Sequence, residues 1–363
     1  MFFNLIKQLL RETNATLPGR LSLALLGALV LNLLFGLAFY LAERDLQELS
    51  FTDSVWWAMV TMTTVGYGDF YPQSFTGRFF IAYPCFLLGI GLIGYLLGVV
   101  AESLISFTNR KRKGHLKCHM KNHIIICHYP SETKILHIVQ ELRAVPSQAE
   151  TPIVVVTEKL EEAPPSFTKH KIRFVQGDPS DDRILEKAAI GQAQGVLILA
   201  QDPTNPASDA RTFAVGTIIE HLEREYERPI KTITEMVSAR STRMTKHSSI
   251  DGSIVAEGIS DRVMVQEFLH PGIHQTYQEL LSNTHGSQLY LADTKLEGRK
   301  LQDIQLAALR DPACLQIIGL KRNDKQFLNL PADTQIQAGD QLIVLTSSQQ
   351  TYYDFERQFL ASN

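Results

Sequence analysis

Residues 21–41 and 79–107 are two apolar runs; the first carries no charged side chain, and the second is broken only by Glu102. As helices they would measure about 31 Å and roughly 43 Å, against a bilayer core about 30 Å thick. In hydrocarbon every backbone N–H and C=O must be satisfied within the protein. Each run therefore has to be a helix, and any irregular backbone at that depth must be enclosed by protein or line a water-filled path. Between the runs lies a segment with no obvious use in a soluble fold, Thr63-Thr64-Val65-Gly66-Tyr67-Gly68-Asp69. Glycine takes positive φ without a side-chain clash, so Gly66 and Gly68 permit the alternating backbone signs that turn successive carbonyls to one side. Four copies about an axis would present main-chain oxygens of Thr64, Val65, Gly66 and Tyr67, with threonine hydroxyls, in place of the water shell of K+. The side chains of Val65 and Tyr67 then point away from the ions.

The residues before this segment fit a short helix that enters the membrane partway. Asp53-Ser54-Val55-Trp56-Trp57-Ala58-Met59-Val60-Thr61-Met62 is apolar with an acidic start. Trp56 and Trp57 are expected to brace Tyr67 from behind, through ring packing and indole N–H donors, and Asp69 is counted with them as support for the segment. The basic run Arg110-Lys111-Arg112-Lys113, with Lys7, Arg11 and Arg20, places both termini on the cytoplasmic side of a cell (inner, plasma) membrane crossed twice. Residues 1–14 suit either a helix lying in the membrane interface or a frayed terminus. The first apolar run is too long for a cleavable signal peptide and lacks its small-residue cleavage pattern. Residues 42–52, with Glu43, Arg44, Asp45 and Glu48, read as an acidic outer loop. No arginine-rich helix precedes the pair, so voltage sensing is not indicated. In the second run Gly91 reads either as a bending point or as a close helix contact, whereas Gly94 and Gly98 read as contacts. Glu102 either rings the inner mouth or pairs with a nearby base.

Residues 120–363 have the composition of a soluble protein, and the net charge of −3 over the whole chain gives no case for a nucleic-acid partner. The scattered Cys85, Cys118, Cys127 and Cys314 are expected as free thiols. Residues 108–122 form a linker whose His115, Cys118, His119 and the following His123 match no strong zinc spacing. From residue 123 onward, apolar strands alternate with amphipathic helices, the pattern of a parallel sheet covered on both faces. Strands are expected at 123–127, 153–157, 172–176, 195–200, 230–234 and 253–256, with helices near 131–144, 180–189, 206–226 and 259–282. Where a dinucleotide fingerprint would begin with glycines the chain has Cys127-His128-Tyr129-Pro130-Ser131. A helix starting at Ser131 could still hold phosphate, and Glu158 ends the second strand where a ribose-binding carboxylate sits. His128, Ser131, Glu158 and Asp178 are the candidate nucleotide contacts, and a purely structural loop is the other reading.

The Thr-Val-Gly-Tyr-Gly block and the helix before it resemble the signature of tetrameric potassium channels, except that Val60 stands where some members carry a glutamate behind the filter. His123-Ile124-Ile125-Ile126-Cys127, Gln176-Gly177-Asp178-Pro179 and Ile233-Thr234-Glu235 are similar to pieces of the RCK (regulator of potassium conductance) domain. Lys295-Leu296-Glu297-Gly298-Arg299-Lys300-Leu301 and Ala338-Gly339-Asp340-Gln341-Leu342-Ile343-Val344 resemble its C-terminal, TrkA-C lobe. The resemblance covers nearly the whole chain from residue 21 and lies closest to prokaryotic two-transmembrane-helix channels of the MthK and GsuK type. It implies an α-helical pore module at 21–107 after an interfacial segment at 1–20 and followed by the 108–122 linker. A Rossmann-like α/β lobe at 123–284, a small α+β TrkA-C lobe at 285–348 and a tail at 349–363 complete the chain. It further implies a membrane homotetramer over a ring of eight RCK domains, four of them from a separate soluble product starting at Met120. The implied activity is not enzymatic: a potassium-selective channel gated by Ca2+ or by an adenine nucleotide, NAD or ADP. Glu235 matches one calcium-binding position of that family, Val237 falls where a second acid would stand, and Asp209 lies near a third. An NAD-dependent oxidoreductase would leave the filter segment unexplained. A potassium transporter with a fused regulator would repeat the helix-loop-helix unit, which occurs once here.

Overall fold

The computed structural model describes residues 17–241, 243, 250–284 and 286–362. The interfacial helix expected over residues 1–14 lies outside them. The chain divides into two compact units, Met1–Arg112 and Lys113–Asn363.

In the first unit a helix over Leu17–Glu43 contains one membrane-length span, and a continuous helical stretch over Gly77–Arg112 is the other. The second begins with a π-helical turn at Gly77–Ala82, immediately before Pro84. Proline offers no N–H to a helix, and a widened turn just ahead of it is where the hydrogen-bond ladder changes step. Between the spans a short helix, Phe51–Met62, starts on a capping box. Ser50 Oγ accepts the Asp53 N–H at 3.1 Å, and Asp53 Oδ2 accepts the Ser50 N–H at 3.1 Å. This occupies two backbone donors that the first turn would otherwise leave unpaired.

Glu43 corrects one expectation. It is not part of an exposed acidic loop but the last residue of the first helix, and it is fully buried. Its carboxylate accepts Gln73 N–H at 2.9 Å, Ser74 N–H at 3.1 Å and Ser74 Oγ–H at 2.6 Å, clamping the strand that returns from the filter segment. Gly77 has to be glycine here, because a Cβ would sit 2.0 Å from Glu43 Oε1. Glu43→Ala should destabilise the assembled protein by about 3 kcal/mol, since buried donors that faced a charged acceptor lose it. Glu43→Gln, which keeps one acceptor oxygen, should cost less. The order of the two thermal midpoints checks this.

In the second unit six parallel strands lie in the order β3-β2-β1-β4-β5-β6. They are β1 His123–Cys127, β2 Ile153–Thr157, β3 Ile172–Gln176, β4 Ala193–Ile198, β5 Lys231–Met236 and β6 Gly252–Val255. Every residue of β1 and β2 is buried, as two covered faces require. One face packs Ile125, Val154 and Val156 on Leu185, Val215 and Ile219; the other packs Ile124, Ile126 and Val155 on Ile135, Val139 and Phe167. This is the Rossmann-like order, with its switch point between β1 and β4. The helix expected as continuous over 259–282 is two, Ile259–Leu269 and Ile273–Leu281, separated at Pro271 and Gly272. Gly272 has φ +96°, which helical geometry excludes.

The C-terminal lobe is an antiparallel sheet ordered β7-β10-β8-β9, formed by Gln288–Asp293, Gln341–Thr346, Gln316–Arg322 and Lys325–Leu328, with a helix at Leu301–Arg310. Residues 349–363, expected as a tail, instead supply the helix Gln349–Ser362, whose Tyr352, Phe355 and Phe359 are core residues of this lobe. Within it Arg322 holds the buried Asp340 through two bonds of 2.8 and 2.6 Å.

Candidate functional site

The filter segment hangs from the C-terminal end of helix Phe51–Met62. Thr63 and Val65 donate their N–H groups to Met59 O and Val60 O at 3.0 Å each, so the chain leaves the helix without an orphaned turn. Gly66 has φ +56° and Gly68 +79°, as expected, but Thr64 also sits in the left-handed region at +61°. Val65 and Tyr67 are outside that region, so the signs alternate over five residues. That alternation brings successive peptide oxygens to one side. A threonine held there, where only glycine is unstrained, was not legible from composition.

Trp56 and Trp57 divide their tasks. Trp56 stacks on Tyr67 with ring centroids 5.9 Å apart and planes 5° apart, and its indole N–H donates to Asp69 Oδ2 at 2.8 Å. Asp69 thus has an indole where some channels use a glutamate, and Val60, at the glutamate's position, is buried. Trp57 does not brace Tyr67 within its own chain; it stacks on Phe39 of the first helix at 3.8 Å. It holds the short helix against the membrane span instead.

Farther along the second span Gly89 makes another close contact: a Cβ there would come within 2.5 Å of Met62 Cα and O. Gly91, Gly94 and Gly98 face open space within the chain, so the contacts expected at Gly94 and Gly98 are not made to other elements of the same chain. Glu102 is paired with Arg20 at 3.0 Å, the second of its two expected roles.

In the second unit the loop after β1 meets the ends of β2 and β4 at the switch point. His128 has φ +71°, is 2% exposed, and its Nε2 has no hydrogen-bond partner. Burial holds its pKa below the usual histidine range; Asp178 and Glu158 oppose that shift and Arg211 adds to it. Glu158 receives Arg211 Nη1 at 2.9 Å, and the same nitrogen donates to Gln201 Oε1 at 2.7 Å. Ser131 caps its helix by accepting Lys134 N–H at 3.2 Å, while Asp178 accepts Ser180 N–H at 2.8 Å. His128, Glu158 and Asp178 are thus near enough to act on one another, Ser131 starts the helix that follows the same loop, and Arg211 joins them unforeseen. It enters from the helix Ser208–Glu225, far along the chain, with no spacing that would have singled it out.

Both calcium candidates are engaged by other groups of the chain. Asp209 is 2% exposed and spends both oxygens on backbone, accepting Val237 N–H at 2.7 Å and Ser238 N–H at 3.0 Å. Glu235 accepts Ala200 N–H at 3.0 Å and is ion-paired with Lys134. A calcium ion needs about six oxygens, and an ammonium already occupies one carboxylate here. Among the described residues no group of three acids, histidines or cysteines converges.

Residues 113–122 are a strap rather than a loose linker. Gly114, with φ +65°, accepts Gln176 N–H at 3.2 Å, Cys118 N–H donates to Lys187 O at 2.8 Å and Asn122 N–H to Gln192 O at 2.8 Å. A side chain at 114 would fall 2.6 Å from Gln176 N. Gly114→Val is expected to free this end of the strap, and faster amide exchange at Gln176 would show it.

Three family models match the chain: ion channel over residues 27–106, calcium-activated potassium channel slowpoke-like RCK domain over 119–234, and TrkA-C domain over 290–359. The calcium-gated potassium channel TvoK of Thermoplasma volcanium is 26% identical, the match covering 81% of this chain and 82% of that protein. Potassium channel protein 1 of Methanocaldococcus jannaschii is 27% identical over 81% of this chain and 85% of that one. The human SLO3 gating ring matches in fold with a TM-score of 0.50 at 14% identity, covering 64% of this chain and 46% of that one.

Proposed function

We propose that this protein, an ion-channel module joined to an RCK and a TrkA-C domain, is a potassium-selective channel gated by a ligand on its soluble part. The observation that carries the reading is the alternation of backbone sign from Thr64 to Gly68, braced by Trp56 and Asp69. Peptide oxygens aligned on one side act only as a ring, so the pore is a homotetramer in a bilayer, here assigned to the cell's inner (plasma) membrane with both termini inside. Reconstituted vesicles tested for potassium against sodium flux decide it. Equal passage of the two ions would defeat the reading.

The soluble lobes form the gating ring. A ring of eight domains needs four more copies than the pore supplies, and a product starting at Met120 would provide them. Such a subunit would keep the Asn122 bond and all of β1 while losing the strap bonds at Gly114 and Cys118. The helices Ile259–Leu269 and Ile273–Leu281 leave Met264, Val265, Phe268 and Leu281 exposed, apolar surface that neighbouring ring domains would cover.

An adenine nucleotide is the gating ligand the residues favour over Ca2+. The cleft offers a buried imidazole nitrogen without a partner, the Arg211 guanidinium, and a helix start at Ser131, which suit a phosphate and a polar ring. The nucleotide would supply only binding energy. Driving a gate from mostly closed to mostly open takes about 5.5 kcal/mol, or about 0.7 kcal/mol at each of eight sites. The strap carries the change, because Gly114 is bonded to the sheet two residues after the membrane helix ends at Arg112.

ADP or NAD at a hundredfold excess over its dissociation constant should raise the stability of the solubilised channel by about 2.7 kcal/mol. Arg211→Ala should remove most of that gain. A rise with Ca2+ alone, untouched by Arg211→Ala, would reverse the assignment.

A further inference from the structure

The residues proposed above for a nucleotide lie at the C-terminal ends of the strands. At their opposite ends the structure holds an open cavity of about 800 Å³, bounded by the strap residues 117–121, the turn before β4 at 189–192, and Tyr226 and Arg228 before β5. Its charge is one-sided. Lys117, Lys121 and Arg228 border it, with Glu186 as the lone carboxylate on its wall, and that carboxylate faces the Tyr226 phenol. Neither lysine takes part in an ion pair among the described residues. Arg228 donates to Gly191 O at 2.7 Å and Ala193 O at 3.1 Å, bonds that fix its position without neutralising it. The wall is half apolar, with Met120, Ile190 and the Tyr226 ring.

The strap spans this cavity under constraint. Cys118 and Asn122 are its hydrogen-bonded ends, and Cys118 and Met120 turn inward onto the main core of the sheet while Lys117, His119 and Lys121 stay exposed. A body lodged against residues 117–121 therefore bears on the segment that begins the second unit, a few residues after the junction at Arg112 and Lys113.

We propose that this cavity is a second regulatory site, one that takes a phosphate-bearing anion between Lys117, Lys121 and Arg228 and passes its occupancy to the strap. The binding half of the inference stands on the cavity alone, and its effect on current rests on the channel reading above. The phosphate could belong to a soluble metabolite or to a lipid headgroup, and the chemistry of recognition is the same.

Inorganic pyrophosphate serves as the probe. Calorimetry on the solubilised full chain should show saturable binding that Lys117→Gln with Lys121→Gln weakens about tenfold, the scale of two partly exposed charges. The double variant should melt with the wild type, since its lysines hold nothing together. Arg211→Ala, in the other cleft, should leave pyrophosphate affinity unchanged. Absent or non-saturable binding, or binding indifferent to the double variant, overturns the site. Current is then recorded in two bilayers, one of neutral lipid with pyrophosphate and one containing phosphatidic acid without it. A response in the first, lost in the double variant, supports the site with a soluble ligand; a response confined to the second and lost likewise supports it with a headgroup. Potassium current that ignores both overturns the regulatory half. A protein that binds pyrophosphate but carries no potassium upholds the site and counts against the channel reading instead.

Discussion

Gly66→Ala is expected to abolish selective potassium flux. At φ +56° an alanine is strained by about 1–2 kcal/mol, and the proposed tetramer would repeat that cost in every subunit. Nothing lies within 4 Å of the position a Cβ would take in the chain, so the penalty is conformational, not a collision. The local escape is rotation of the peptide, which swings an oxygen away from the others and breaks the ring at its middle. Thr64 makes the comparison sharp, because it already bears this strain at φ +61°. Having absorbed one such residue next to Gly66, the segment has little tolerance for a second. Potassium uptake into vesicles at the wild-type rate and selectivity would show that the backbone signs do not matter.

Ending the chain after Lys113 is expected to leave a selective pore whose current no longer answers to nucleotide. The first unit is compact in itself, and its short helix, filter segment and Glu43 clamp are all contained within it. What is lost is the strap and everything it reports. The ratio of currents with and without ADP should fall from its full-length value to one. A truncated channel that still responded would place the sensor inside the membrane module.

The architecture was readable where local pattern and tertiary demand agree. Strands β1 and β2 have the expected bounds because they are buried on both faces, which leaves a compact apolar run in the chain. The filter was readable because alternating glycines serve a local backbone requirement. Features that join distant positions were not. Glu43 finds its donors thirty residues on, and Lys134 meets Glu235 across a separation of 101, with nothing in either local pattern to announce it. Lys134 in turn engages a carboxylate that the resemblance had offered to calcium. The stacking of Trp57 on Phe39 was hidden for the same reason, since Phe39 belongs to another helix. The last helix is a different case. Tyr352, Phe355 and Phe359 follow helical spacing and were there to be read, but their position at the chain's end made them look like a tail.

The contact between Gly89 and Met62 has a mechanical meaning. Backbones that touch leave no room for one to slide past the other, so the second span is held at that level like a rod at its fulcrum. From there to Arg112 the helix forms an arm of roughly 35 Å. Tilting it by about ten degrees would carry its tip about 6 Å sideways, while the segment from Thr64 to Gly68 stays where it is. Selection among ions and control of their passage can therefore evolve separately along one helix.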